Sequence, residues 1–174
     1  MRSVRSALVV LLLAAAFLPE VRRYRAERLL WRMHAAADLL VSDPAHAPDP
    51  RAAVEWIVRS AGEASAALPG DGRPWLIAGE ARLDGRDPAG ALELFRRAST
   101  AGERADVDFE MGRALVLLRE LGPAQEALVR AAWISPAILL PLPDAARASL
   151  EREVARLEAE LRQGRMTNPP PRPL

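Results

Sequence analysis

An internal repetition of 33 residues, running through residues 72–138, most constrains what this chain can fold into. Gly79 and Gly112 are separated by this interval (112 − 79 = 33). The same offset relates three further pairs: Ala91 with Ala124, Phe95 with Leu128, and Ala98 with Ala131. A fixed period of this size is typical of stacked supersecondary units, in which each unit buries its apolar face against the next. The spacing therefore predicts two helix pairs in one register.

The composition and the turn sequences both favour an all-α fold. Half of the residues are hydrophobic and only 5% are aromatic. Ala and Leu carry most of the apolar content, and both are strong helix formers. Two short segments, 84–88 and 120–123, are predicted to be tight turns. In them, Gly85 and Gly122 would end one helix, and Pro88 and Pro123 would open the next.

The repeated positions resemble a known signature. The residues Trp75, Ala78 and Gly79, followed by Ala91, Phe95 and Ala98, resemble the tetratricopeptide repeat. The second copy has Met111, Gly112, Ala124, Leu128, Ala131 and Pro136 at the corresponding positions. It departs from the family at the first-helix Trp, which is replaced by Asp108, while Glu103 stands where the first copy would end in Pro. The resemblance implies a short solenoid of antiparallel helix pairs whose small residues allow close packing around Phe95 and Leu128.

The resemblance also implies where a partner would bind. Repeats of this family bind extended peptides or partner helices on a concave face lined by their first helices. Counting from Gly72 and Ala105 as repeat starts, the candidate partner-binding residues are Arg73, Glu80, Asp84, Asp106, Phe109 and Arg113.

The flanking segments are predicted to complete the solenoid, because at least three units are normally needed to bury a continuous core. Residues 21–71 form an amphipathic helix and a degenerate leading repeat, with Asp49 and Pro50 starting its second helix. Residues 139–164 form a C-terminal capping helix that Gly164 ends, and residues 165–174 form a Pro-rich disordered tail. In the amphipathic helix, the apolar stripe is predicted to be Leu29, Met33, Ala36 and Leu40.

Residues 1–20 are predicted to be either a signal peptide or a transmembrane anchor. An apolar run from Ala7 to Leu18 follows Arg2 and Arg5. At 1.5 Å per residue it spans about 18 Å, which suits a signal-peptide core better than a bilayer core of about 30 Å. The arginines that follow resist translocation and favour an uncleaved anchor. The chain is therefore expected to be membrane-associated, or periplasmic or secreted after cleavage.

Four arginines directly after this segment are candidates for contact with anionic lipid headgroups. Arg22, Arg25, Arg28 and Arg32 recur at three- and four-residue spacing, which gives a basic stripe on the helix. An ordinary solvated helix face is the competing interpretation. Residues 1–32 carry a net charge of +5, and the remaining residues carry −4. Because the repeats are net acidic, nucleic-acid binding is not expected.

Catalytic and cofactor motifs are missing from the sequence. There is no cysteine, no phosphate-binding glycine loop and no metalloprotease motif. The two histidines, His34 and His46, lie in different segments and have no ligand spacing. We therefore expect no cofactor and no enzymatic activity. The sequence predicts a scaffold that binds a protein or peptide partner, or alternatively an accessory subunit of a larger membrane complex.

Overall fold

The computed structural model describes the backbone of residues 2–42, 49–168 and 170, and the side chains of residues 17–42, 49–168 and 170. The described chain is helical and contains no strand, so the predicted all-α class is confirmed. The helices in order are α1 (Arg2–Ser42), α2 (Pro50–Ala67), α3 (Arg73–Asp84), α4 (Pro88–Ser99), α5 (Ala105–Leu117), α6 (Leu121–Ile134) and α7 (Asp144–Arg162), with a 3₁₀ turn at Pro136–Leu139 before α7.

The helices pack in two layers that alternate along the chain. Helices α1, α3 and α5 form the first layer, in which α3 contacts both of the others. Helices α2 and α4 form the second layer, and each contacts the first-layer helices before and after it in sequence; α6 continues this layer against α5. Because the connections are short, consecutive helices run antiparallel. The side of the α1, α3 and α5 layer that faces away from the second layer is one continuous surface. It is called here the inner face.

Two glycines set the distance between the helices of each pair. A Cβ atom placed on Gly79 would lie 2.3 Å from Cε1 of Phe95, and one placed on Gly112 would lie 2.6 Å from Cγ of Leu128. Both distances are shorter than a van der Waals contact, so neither position has room for a side chain. Phe95 is fully buried. The predicted close approach at these glycines is confirmed, and it recurs at the 33-residue interval.

The turns within the two pairs also repeat, although only one of the two predicted glycines ends its helix. Arg86 (φ 63°) and Arg119 (φ 65°), again 33 positions apart, adopt the left-handed conformation. Asp87 N–H donates to the carbonyl of Arg82, and Glu120 N–H donates to the carbonyl of Leu115. Helix α3 ends at Asp84 with Gly85 as its C-cap, so the prediction that Gly85 ends this helix is confirmed. The prediction for Gly122 was wrong, because α5 ends at Leu117 with Leu118 as its C-cap.

The expected helix starts are confirmed for α2 and α4 but not for α6. Asp49 and Asp87 cap α2 and α4 by accepting hydrogen bonds from the N–H groups of Ala52 and Gly90. Helix α6 begins at Leu121, so Gly122 lies inside its first turn and Pro123 is not its first residue. The left-handed turn at Arg119 has already reversed the chain before Gly122.

Helix α1 is continuous through Pro19, across the predicted boundary between residues 20 and 21. Its buried side chains are Ala26, Leu30, Met33 and Ala37, spaced four, three and four residues apart. Of the predicted stripe, only Met33 is fully buried, while Leu29, Ala36 and Leu40 lie at its edge and are partly buried. The predicted stripe is therefore off by one residue at two positions, where Leu30 and Ala37 are buried instead of Leu29 and Ala36.

Helix α7 packs on α6 and ends near Gly164 (φ 68°), as expected. Leu150, Val154 and Leu157 join Val129 and Leu139 in a small apolar cluster that covers the end of the layers. In the segment predicted as a tail, Pro170 is buried, and its carbonyl accepts a hydrogen bond from the guanidinium of Arg130. Residues 169 and 171–174 lie outside the described residues.

We expect Gly79→Ala to lower the free energy of unfolding by about 1–3 kcal/mol, because the added methyl group must displace the buried ring of Phe95. Gly62→Ala is the matched control, since the nearest atom to its added methyl group is a Trp75 side-chain carbon 3.9 Å away. At Gly62, replacing glycine with alanine lowers the backbone entropy that is lost on folding. The free energy of unfolding should therefore rise by roughly 0.5–1 kcal/mol. Urea unfolding of both variants checks the pair. Equal effects at the two sites would contradict the packing argument.

Candidate functional site

The inner face carries a small cleft where α1, α3 and α5 meet. Its volume is about 130 Å³. Its lining is His34, Ala37, Asp38 and Val41 from α1, Leu83 with Glu80 and Asp84 from α3, and Glu110 and Arg113 from α5. Four of these side chains are carboxylates and two are basic. The three helices therefore bring together charged groups that are far apart in sequence, with an excess of negative charge.

Glu80 has the most perturbed environment in this cleft. Burial, together with the nearby charges of Glu110, Asp106 and Asp84, raises its pKa from 4.5 to about 7, against the opposing effect of Arg113. The side chain has no hydrogen-bond or ion-pair partner among the described residues. A carboxylate held in this way is stabilised by any cation that reaches it.

The neighbouring carboxylates share one guanidinium. Both carboxylate oxygens of Glu110 accept hydrogen bonds from Nη1 of Arg113, at 2.9 and 2.8 Å. Burial nevertheless raises the pKa of Glu110 above its ordinary value. Burial also raises the pKa of Asp84, partly offset by Arg113. A single arginine thus offsets the charge of three acids, and the cleft remains electronegative.

The N-terminal ends of α3 and α5 are more fully paired. Arg73 bonds Asp71 and also reaches Oε1 of Glu27 on α1 at 2.8 Å. Asp106 accepts a hydrogen bond from Nε of Arg104 at 2.9 Å, which lowers its pKa. Of these pairs, Arg73 with Glu27 joins α3 to α1, and the other two are local. Because they are paired, these charged groups have less free bonding capacity to offer a partner than Glu80 and Asp84.

The structure separates the predicted partner-binding residues into three groups. Glu80, Asp84 and Arg113 line the cleft, while Arg73 and Asp106 lie in ion pairs at the other end of their helices. Phe109 is 7% exposed and offers almost no surface. Its counterpart 33 positions earlier, Leu76, is buried to the same extent.

Sequence reasoning missed Glu110, His34 and Asp38. Glu110 lies at the repeat position equivalent to Ile77, which is buried against the α1 and α2 core. A charge at a position that is apolar in the other copy was the available signal. His34 and Asp38 follow from treating α1 as the first helix of the leading repeat, because its charged positions then fall on the same face.

The four predicted membrane-surface arginines lie together on α1. Arg22, Arg25, Arg28 and Arg32 are exposed, and they line a second cleft of about 470 Å³ with Glu63 and Ala67 of α2. None of the four forms an ion pair with a described residue. The guanidinium of Arg32 lies 5.4 Å from the ring centroid of Trp56, within the range of a cation–π contact.

The chain matches no protein-family model, no curated protein and no solved structure at a significant level. Within residues 17–42, 49–168 and 170, no group of three or more His, Asp or Glu side chains is placed to hold a metal ion. No helix in the described part of the chain is long and apolar enough to cross a membrane. Most of the predicted segment 1–20, and His46, lie outside the described side chains.

We expect Glu80→Gln to raise the free energy of unfolding by about 2 kcal/mol at neutral to alkaline pH, because the variant need not bury a charge. The folded-state pKa of about 7 lies above the ordinary value of 4.5. The wild type therefore loses stability as the pH rises from 4.5 to about 7. The difference between the two proteins should vanish below that window.

Urea unfolding across this pH range measures the difference. The matched control is Glu126→Gln on α6, at an exposed carboxylate outside the inner face. A difference between wild type and Glu80→Gln that does not vary with pH would show that Glu80 ionises normally.

Proposed function

We propose that this chain is a non-catalytic protein–protein interaction scaffold of the tetratricopeptide-like class, and that its inner face binds a basic peptide or partner helix. The 33-residue repetition of glycine contacts and turn hydrogen bonds supports the class. The crowding of carboxylates around Glu80 carries the binding proposal, because this group is half-buried and lacks a countercharge of its own.

A lysine or arginine from a partner supplies the positive charge that the carboxylates of the inner face lack. Asp38 and Asp84 are exposed beside Glu80 and Glu110, and Arg113 already bonds Glu110. Val41, which is 63% exposed at the edge of the cleft, adds an apolar contact. A segment with basic and apolar residues at helical spacing matches this combination, as in helix-in-groove recognition. An acidic segment would bring like charges together and is rejected.

The proposal includes attachment to a membrane through residues 1–20, or export after their removal. A second candidate function is an accessory subunit of a larger membrane complex. The observation that favours it is the side of α1 directed away from the core, which exposes Tyr24 and Trp31. Such a side can pack against helices of other subunits.

For the inner face, we expect a fluorescein-labelled helical peptide of Lys and Leu to bind the full chain in nonionic detergent. Its analogue with Glu at every Lys should not bind. The double variant Glu80→Gln, Asp84→Asn should weaken binding by about tenfold, since each such charge pair contributes roughly 0.5–1 kcal/mol. Affinity should also rise as the pH passes upward through about 7, where Glu80 becomes charged.

Fluorescence anisotropy measures these affinities. Glu126→Gln, which removes an exposed carboxylate outside the inner face, is the control and should bind the peptide as the wild type does. An equal loss in this control would mean that net charge, and not the inner face, attracts the peptide. Binding of the Glu peptide with similar affinity would also contradict the proposal.

For membrane attachment, we expect the full-length chain in the membrane fraction with Met1 as its first residue. The alternative of export predicts a start near Phe17 in a soluble fraction outside the cytoplasm. N-terminal sequencing after fractionation separates the two. A partner recovered at fixed stoichiometry after purification in mild detergent would instead favour the accessory-subunit function.

A further inference from the structure

One side of α1 exposes an apolar and aromatic stripe that no described helix covers. Its residues, called here the α1 stripe, are Phe17, Val21, Tyr24 and Trp31, with Arg28 between the last two. Their spacings of four, three, four and three residues place them on one side of a helix. That side lies opposite the buried residues Leu30 and Met33. Helices α2 and α3 contact the core side of α1, which leaves the stripe bare.

The exposure of the α1 stripe is unusual for this chain. Trp31 is 73% exposed and Tyr24 is 64% exposed. The other described aromatic side chains are buried or half-buried, so all the exposed aromatic residues of the described chain lie on this helix. An exposed apolar stripe bordered by charged side chains indicates an interaction surface. Trp and Tyr in particular suit the boundary between headgroups and acyl chains, because their rings combine an apolar body with a polar end.

The charges beside the stripe identify its occupant. Arg22, Arg25 and Arg32 lie along one edge, and with Arg28 they form the basic cleft against α2. None of them has a carboxylate partner among the described residues, so no neighbouring negative charge neutralises them. Two copies of this face would bring their arginines together, which like-charge repulsion opposes. The stripe also continues directly into the apolar run Ala7–Leu18 of the same helix.

We propose that the α1 stripe and its four arginines form a docking surface for an anionic phospholipid bilayer, with the aromatic rings at headgroup depth and the guanidinium groups on lipid phosphates. This surface is additional to any insertion of residues 1–20. It acts independently of peptide binding on the inner face, which uses different side chains. A basic amphipathic helix with aromatic residues on its apolar side binds membrane surfaces in this manner.

The chain contains no cysteine, so a single introduced thiol reports on one position of the full-length protein. Ala35→Cys places a spin label on the α1 stripe side, four residues after Trp31, at an exposed position. Ala89→Cys, exposed on α4, is the matched control. Both proteins are reconstituted into vesicles of phosphatidylcholine alone, or of equal parts phosphatidylcholine and phosphatidylglycerol. Collision with oxygen and with a water-soluble nickel complex measures the depth of each label.

In the anionic vesicles, we expect a several-fold higher oxygen-to-nickel accessibility ratio at position 35 than at position 89. The ratio at position 35 should fall to the aqueous value in neutral vesicles. It should also fall in the variant with Gln at positions 22, 25, 28 and 32, because each arginine strengthens binding to an anionic surface by about five-fold, or about 1 kcal/mol. Lysine at the same four positions should restore it.

Gln at four exposed arginines elsewhere (Arg51, Arg86, Arg119 and Arg152) should leave the label at position 35 in lipid. A label at position 35 that stays in water in both vesicles overturns the proposal. Equal depth in neutral and anionic vesicles overturns it as well, because the arginines would then contribute nothing. Dipolar broadening between labels at position 35 would show that a second copy covers the stripe, and this too overturns it. If a multiple variant fails to fold, the comparison of neutral with anionic vesicles, made with all four arginines intact, still tests the proposal.

Discussion

The contact between a glycine on one helix and a large side chain on the next is the constraint on which the rest of the structure depends. At Gly79 the ring of Phe95 occupies the space that a Cβ would need, and at Gly112 the side chain of Leu128 does the same. Small buried alanines at Ala91 and Ala124 keep the second helix close as well. Because this spacing recurs after 33 residues, the second pair is added to the first in the same orientation, and α1, α3 and α5 fall into one layer.

That layering explains both what the sequence could predict and what it could not. Spacing alone predicted the helix pairs and the packed glycines, since these follow from local periodicity and volume. It could not predict that Arg86 and Arg119 turn the chain, because the left-handed conformation is normally expected at glycine. A glycine lies close to each position, Gly85 directly before Arg86 and Gly122 three residues after Arg119. The left-handed conformation at an arginine costs roughly 1–2 kcal/mol, which the bonds of the turn and the packing of the helices that it joins offset.

The candidate site was only partly predictable because it is formed between helices. A repeat register assigns equivalent positions the same surroundings, and this holds for Leu76 and Phe109, which are both buried. The rule fails for Glu110, whose equivalent is the apolar Ile77, because the two positions contact different neighbouring helices. Position 77 meets α1, whereas position 110 meets the acidic side of α3. The cleft around Glu80 therefore emerges only when three helices are placed together, and the same is true of its raised pKa.

Helix α1 connects the acidic inner face with the basic stripe, and its geometry makes the two surfaces compatible. Arg32 and His34 are two residues apart, and at 100° per residue their side chains leave the helix about 200° apart. Arg32 turns toward the basic cleft, and His34 lines the acidic cleft. An anionic surface attracts the arginine side of α1 and repels the side that carries the carboxylates. When the arginines contact such a surface, the carboxylates of the inner face therefore remain exposed to water. A basic partner segment is attracted to the same anionic surface, which raises its concentration beside the cleft that has the complementary charge.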